Sequence, residues 1–175
     1  MADTALVPRP GLVLPLLVAS VGIAAQASAL ILVGERRVAG ALAAVVGIAL
    51  VAAGRSARRN GAPRLLFADS VAERTADALL LGAVAWVALP QSPWVGGGAL
   101  VALVASYLAS YLRARSVGLG FSLEESTVDR AVLLAALAAG LVLGLEEVGL
   151  WSAAAFSFSV TIKRAIEVAR QKEPA

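Results

Sequence analysis

The sequence predicts an all-α integral membrane protein of six transmembrane helices, and three observations carry that expectation. The chain of 175 residues is 59% hydrophobic and only 15% charged, with a mean hydropathy of +0.84. That is too apolar for a soluble domain of this size. Its apolar residues come in runs long enough to cross a bilayer. Its basic residues sort to one side of the resulting topology.

The spans read in order. Gly11 to Val33 is the first, followed by a tight connection at Gly34-Glu-Arg-Arg37. Val38 to Gly54 is a short second span, and Arg55 to Arg74 reads as a polar loop or interfacial segment. The third span runs from Ala78 to about Leu89, and Pro90-Gln-Ser-Pro93 is a turn. Trp94 to Leu112 is the fourth span, with Trp94 as an interfacial anchor. A polar loop, Arg113 to Asp129, leads to a fifth span, Arg130 to Leu145. Glu146-Glu-Val-Gly149 reads as a turn, Leu150 to Ile162 as the sixth span, and residues 163–175 as a polar cytoplasmic extension of a single domain, 1–175. Residues 1 to 9 lack the charged start and small-residue cleavage site of a signal peptide, so no cleaved leader is expected.

Six spans put both termini on one side. That side then holds 13 of the 15 Lys and Arg residues, and only Arg36 and Arg37 fall on the other. The positive-inside rule makes the rich side cytoplasmic, and a prokaryotic plasma membrane is the expected location. A net charge of +3 on such a face suits anionic lipid or phosphate ligands and not nucleic acid.

Composition also excludes chemistry. With no cysteine there is no disulfide or thiolate metal site, and with no histidine no imidazole base or metal ligand. Any metal would be a hard cation held by carboxylates, Mg²⁺, Mn²⁺ or Ca²⁺.

The carboxylates that stand out are Asp69, Glu73 and Asp77, spaced four apart just before the third span turns apolar. On a helix they form one slowly drifting stripe. A single acid at a helix N-terminus simply complements the dipole; three in register at membrane depth point to function. Arg113, Arg115 and Asp129-Arg130 lie on the same face of the membrane. Arg113 and Arg115, two residues apart, grip one ligand only if the helix ends there; otherwise they snorkel to the surface. Carboxylates opposite arginines suit a metal-bound diphosphate beside a second phosphate. Gly140-x-x-x-Gly144 permits close helix packing and with it a homodimer.

These segments carry a family resemblance. Phe67-Ala-Asp-Ser-Val-Ala-Glu-Arg-Thr-Ala-Asp-Ala78 resembles the second half of the CDP-alcohol phosphatidyltransferase signature, D-x-x-D-G-x-x-A-R, a spacer, then G-x-x-x-D-x-x-x-D, commonly continued as D-R-x-x-D-A. Ser110-Tyr-Leu-Arg-Ala-Arg-Ser-Val-Gly-Leu-Gly120 resembles the S-Y-x-R-A-R-x-x-x-L-G segment of the phosphatidylinositol-phosphate synthase branch, and Asp129-Arg130 its E-R. Val160-Thr-Ile-Lys-Arg164 resembles the end of that branch's sixth helix. The resemblance covers roughly residues 65–78 and 106–145.

The resemblance implies six transmembrane helices around a cytoplasm-facing metal site, CDP-lipid as phosphatidyl donor, and a dimer. It implies Asp69, Glu73 and Asp77 as metal ligands for Mg²⁺ or Mn²⁺, and Glu73 as the base. Arg113, Arg115 and Arg130 would hold the acceptor phosphate, and Arg55 and Arg58 would lie on the nucleotide side. The first half of the signature is missing. Its two acids fall near Gly47 and Leu50, its glycine near Val51 and its A-R pair near Gly54-Arg55, while the glycine before the third acid falls at Leu65. No Asp or Glu lies between Glu35 and Asp69. Asp69 and Glu73 alone leave too few oxygens for a two-metal cage. The expectation is therefore a degenerate, catalytically weak or inactive homologue in phospholipid synthesis, as a homodimer or paired with an active paralogue. Two alternatives stand beside it: an active transferase releasing CMP, and a small transporter or lipid-binding membrane protein.

Overall fold

The computed structural model describes residues 10–123 and 128–171; Arg9 and Lys172, counted above on the basic side, lie outside the described residues. Six helices account for nearly all of them. They are α1 (Pro10–Leu32), α2 (Arg36–Asn60), α3 (Pro63–Ala88), α4 (Pro93–Gly118), α5 (Val128–Leu143) and α6 (Glu146–Ala169).

Local chemistry sets the connections. Gly34, at φ 91°, and Gly144, at φ 70°, take the left-handed backbone that ends α1 and α5. Gly61 closes α2 at φ 62°, its N–H donating to the carbonyls of Ala57 and Arg58. Pro63 then opens α3 at its first turn, where a missing N–H costs nothing. Ser92 caps α4, its hydroxyl accepting from the Val95 N–H at 3.4 Å ahead of Pro93.

Three boundaries differ from the sequence reading. The segment Arg55–Arg74 is not a loop. Helix α2 continues to Asn60 and α3 starts at Pro63, leaving two linking residues. Arg and Ala are good helix formers, and the polar side chains here follow the helical period. Helix α4 runs on through Arg113 and Arg115 to Gly118. Glu146 and Glu147 form the first turn of α6, where carboxylates complement the dipole, and are not a turn between helices.

The helices form a closed ring in the order α1, α2, α5, α6, α4, α3 and back to α1, with α2 also touching α3 across it. Small residues let the axes approach. A Cβ on Gly149 would come within 2.6 Å of the Ala136 carbonyl and 3.0 Å of the Gly140 Cα; one on Gly40 would meet the Ala138 carbonyl at 2.9 Å. Gly140 is thus spent inside the chain, between α5 and α6, and Gly144 is a turn residue, so the pair does not present a ridge to a second copy. The core filling the ring is Leu, Val and Ala, with Leu17, Leu50, Leu80, Leu81, Leu134, Leu137 and Leu150 fully enclosed.

The outer surface is apolar as well. Ile48, Phe67, Trp86, Trp94 and Val104 are among many large hydrophobic side chains left exposed, which only a lipid environment makes favourable. Among the described residues, three helices are long and apolar enough to cross a membrane: Gly11–Leu32, Arg36–Asn60 and Pro93–Gly118. The others fall short for visible reasons. Charges crowd the first half of α3 and both ends of α6, and α5 has 16 residues.

The α5–α6 contact gives a direct test. Gly149→Ala forces a methyl into backbone and should destabilise the protein by about 1–3 kcal/mol. Gly82→Ala, which meets nothing within 4 Å, should be neutral or slightly stabilising. Thermal unfolding in mild detergent separates the two; equal melting points would contradict the packing.

Candidate functional site

The acidic stripe lies in the first half of α3, and its drift decides what each acid meets. Four residues on an α-helix advance about 40° beyond a full turn, so eight advance about 80°. Asp69 therefore faces α2, Glu73 the interior of the ring, and Asp77 faces α4 and α5.

Asp77 sits about 21 Å along the axis from Pro63 and is fully buried. At that depth a bare carboxylate is costly unless paired and hydrogen-bonded. Arg130, at the start of α5, supplies the partner: its Nη1 donates to Oδ2 at 3.0 Å, and its Nη2 is ion-paired with Oδ1 at 3.0 Å without making a hydrogen bond to it. Ser106 of α4 donates its hydroxyl to Oδ2 at 2.7 Å. Arg74 Nη1 stands 3.5 Å from the same oxygen and donates to the Ser106 carbonyl and hydroxyl, both at 2.9 Å. Arg130 Nη2 also donates to the Glu73 carbonyl at 2.8 Å. The Tyr107 hydroxyl donates to the Arg74 carbonyl at 3.0 Å, while the Arg74 guanidinium lies over the Tyr107 ring at 5.8 Å.

Glu73 points into the ring. Its Oε2 is 3.3 Å from Arg74 Nη2 and its Oε1 3.9 Å from Arg130 Nε. Asp69 is buried against α2, with Oδ2 3.7 Å from Arg58 Nη1 and Oδ1 without a hydrogen-bond donor. Gly54 makes room for this pair: a Cβ there would lie 2.8 Å from Arg58 Nη2 and 2.9 Å from Asp69 Oδ2.

These groups line a cleft at the end of the ring where α2, α4 and α6 finish and α3 and α5 begin. Arg58, Arg74, Arg113, Arg130 and Arg164 line it, against Glu73, Asp77 and Asp129. Five guanidinium groups against three carboxylates leave it net positive. Ser106, Ser110 and Ser157 add hydroxyls. Arg164, near the end of α6, is held by the Ala109 carbonyl at 2.8 Å and by Asp129 Oδ2 at 2.9 Å. Arg113 lies within electrostatic reach of both Arg58 and Arg164.

The structure brings together some of the sequence candidates and separates others. Glu73, Asp77, Arg113, Arg130 and Arg58 line the cleft, and Asp69 lies directly behind Arg58. Arg115 does not line it. Because α4 continues to Gly118, residues 113 and 115 point about 200° apart on the helix, and Arg115 is exposed. Arg55 is likewise exposed, three residues before Arg58. Sequence reasoning missed Arg164, Arg74 and the serines as cleft residues. A signal existed for two of the helices. Ser106 and Arg113 on α4, and Ser157 and Arg164 on α6, share an i, i+7 spacing, which puts each pair on one helix face, and these two helices pack together.

As a metal site the donor set does not fit. A hard divalent cation wants about six oxygens, and α2 carries no carboxylate, with Gly47 and Leu50 standing where the signature has acids. Leu50 is fully buried, and a Cβ on Gly47 would already touch Leu134 at 3.2 Å. Asp77 is committed to Arg130 and Ser106. Among the described residues no three acidic side chains converge on one point.

No protein-family profile matches the chain. The chain is 32% identical over 109 residues to the phosphatidylinositol phosphate synthase of Corynebacterium glutamicum, a CDP-alcohol phosphatidyltransferase family member. The matched stretch is 56% of this chain and 49% of that protein, so the chain spans about half the length of the curated relative it matches.

The buried fork yields a stability test. Removing one partner strands the other charge, so Asp77→Ala and Arg130→Ala should each cost about 3–5 kcal/mol. The double variant should cost clearly less than the two singles added together. Additive losses in thermal unfolding would show that the pair is not coupled.

Proposed function

We propose that this chain is a six-span membrane protein of phospholipid synthesis, both termini cytoplasmic, whose cleft binds the phosphate of a CDP-lipid or of a phosphorylated polyol without efficient turnover. The observation that carries this reading is the composition of the cleft. Five arginines line it, and each acid of the α3 stripe has a guanidinium within 4 Å. Arginine suits phosphate by planar, two-pronged hydrogen bonding. A nucleophilic displacement at a diphosphate also needs a cation on the leaving oxygens and a base on the incoming hydroxyl. Glu73 is the carboxylate placed for the second role, since it faces the cleft. Its two oxygens stand beside Arg74 and Arg130, which occupy them as ion-pair partners.

The partial likeness to a phosphatidylinositol phosphate synthase supports the phospholipid setting and makes phosphorylated inositol a reasonable acceptor to try. In this reading the protein serves as a homodimer or as the partner of an active paralogue. An active transferase is the second reading, favoured by the position of Glu73 in the cleft with Asp69 one turn away.

CMP release from CDP-diacylglycerol over a panel of acceptors, glycerol phosphate and inositol phosphate included, with Mg²⁺ and Mn²⁺, decides between them. Release at or near background is expected. Robust metal-dependent turnover abolished by Asp69→Ala would establish the second reading. The topology is checked independently. Reporter fusions at residue 175 and in the Pro90 turn should report opposite sides of the membrane, and the same side for both would remove the six-span arrangement.

A further inference from the structure

We infer that Arg58 takes the place of a divalent cation, so that the cleft binds its phosphate ligand through guanidinium groups alone. This rests on the phosphate-binding reading above and concerns how the same site works.

Three features of α2 and α3 carry the inference. Arg58 reaches to 3.7 Å from Asp69 Oδ2, so a full positive charge already stands against the most buried carboxylate on the α2 side. Gly54, one turn earlier, leaves the space the pair occupies: a Cβ there would press on the ends of both side chains, 2.8 Å from Arg58 Nη2 and 2.9 Å from Asp69 Oδ2. The helix that supplies this cation supplies no carboxylate anywhere along its length. A metal would therefore have to displace Arg58 and gain only Asp69 and Glu73 as anionic ligands.

The rest of the site opposes that exchange. Asp77 is held by Arg130, Arg74 and Ser106 and cannot turn toward α2 without stranding a buried guanidinium. Glu73 is flanked by Arg74 and Arg130. A divalent ion entering this ring would meet arginines on every side, and like charges at a few ångströms in a partly desolvated cleft repel strongly. An anion meets the reverse: Arg58, Arg113 and Arg164 all line the cleft, with Ser110 and Ser157 as further donors. Guanidinium keeps its charge at all accessible pH values and binds phosphate oxygens in pairs, so it can neutralise a diphosphate without metal.

The test uses the full chain in nanodiscs. Binding of short-chain CDP-diacylglycerol is titrated in EDTA and again with Mg²⁺, and glycerol phosphate is titrated the same way to tell a lipid donor from a soluble phosphate. Mn²⁺ binding to the ligand-free protein is followed by its electron paramagnetic resonance signal. The expected result is saturable binding of at least one probe in EDTA, with an affinity changed less than about twofold by Mg²⁺, and no stoichiometric Mn²⁺. Arg58→Ala should weaken that binding by about tenfold or more, the loss expected for a hydrogen bond to a charged group, and Arg58→Lys should restore part of it. Binding that appears only with a divalent ion, or one tightly bound Mn²⁺ per chain, overturns the inference and leaves the phosphate-binding reading standing. Failure of both probes to bind under every condition overturns both. The metal arms use the unaltered protein, so the decision does not hang on whether the variants fold.

Discussion

The structure turns on a carboxylate and a guanidinium that cannot be left alone. Asp77 lies deep in α3 with no access to water, and its charge is tolerable only because Arg130 meets it with two nitrogens and Ser106 with a hydroxyl. Those contacts tie three helices together at one depth. They also set the orientation of Arg130, whose remaining reach goes to the Glu73 carbonyl. Glu73 is thereby held with its side chain toward the cleft. The placement of Glu73 therefore depends on the pairing of Asp77.

Small residues supply the second constraint. The ring closes because Gly40 and Gly149 let helices approach to distances at which a Cβ would meet a facing carbonyl within 3 Å. In a membrane this close approach is a main source of helix association, since burying apolar side chains gains little when lipid is equally apolar. Gly54 uses the same absence of a side chain for another end, opening the space in which Arg58 meets Asp69. The two uses look alike in a sequence, yet one closes the fold and the other sets the charge of the site.

The site itself is defined by its balance of charge more than by any single residue. A carboxylate cluster left to itself would attract a divalent cation. Here every member has an arginine partner contributed by another helix or by its own, and the surplus guanidinium groups reverse the sign of the cleft. The proposed binding role rests on that charge balance, in the phospholipid setting to which the partial likeness points.

Much of this was legible in the chain alone. Apolar runs and turn glycines are local features, so the number of helices and most of their ends followed from composition and period. The stripe Asp69, Glu73, Asp77 and the absence of carboxylates from α2 were also visible, because both are matters of residue type and spacing. Helix lengths at the basic end were not. Arg55 to Asn60 and Arg113 to Gly118 are polar, and hydropathy reads polar residues as loop, whereas backbone hydrogen bonding carries the helix through them. That extension sent Arg115 and Arg55 outward and left Arg113 and Arg58 inside. Only the tertiary structure decided which arginine neutralises which acid. Asp77 and Arg130 are 53 residues apart, Arg164 and Ala109 are 55 apart, and no local pattern records such pairings. They follow from the order of helices around the ring, which is set by which faces pack most closely and is therefore a property of all six helices at once.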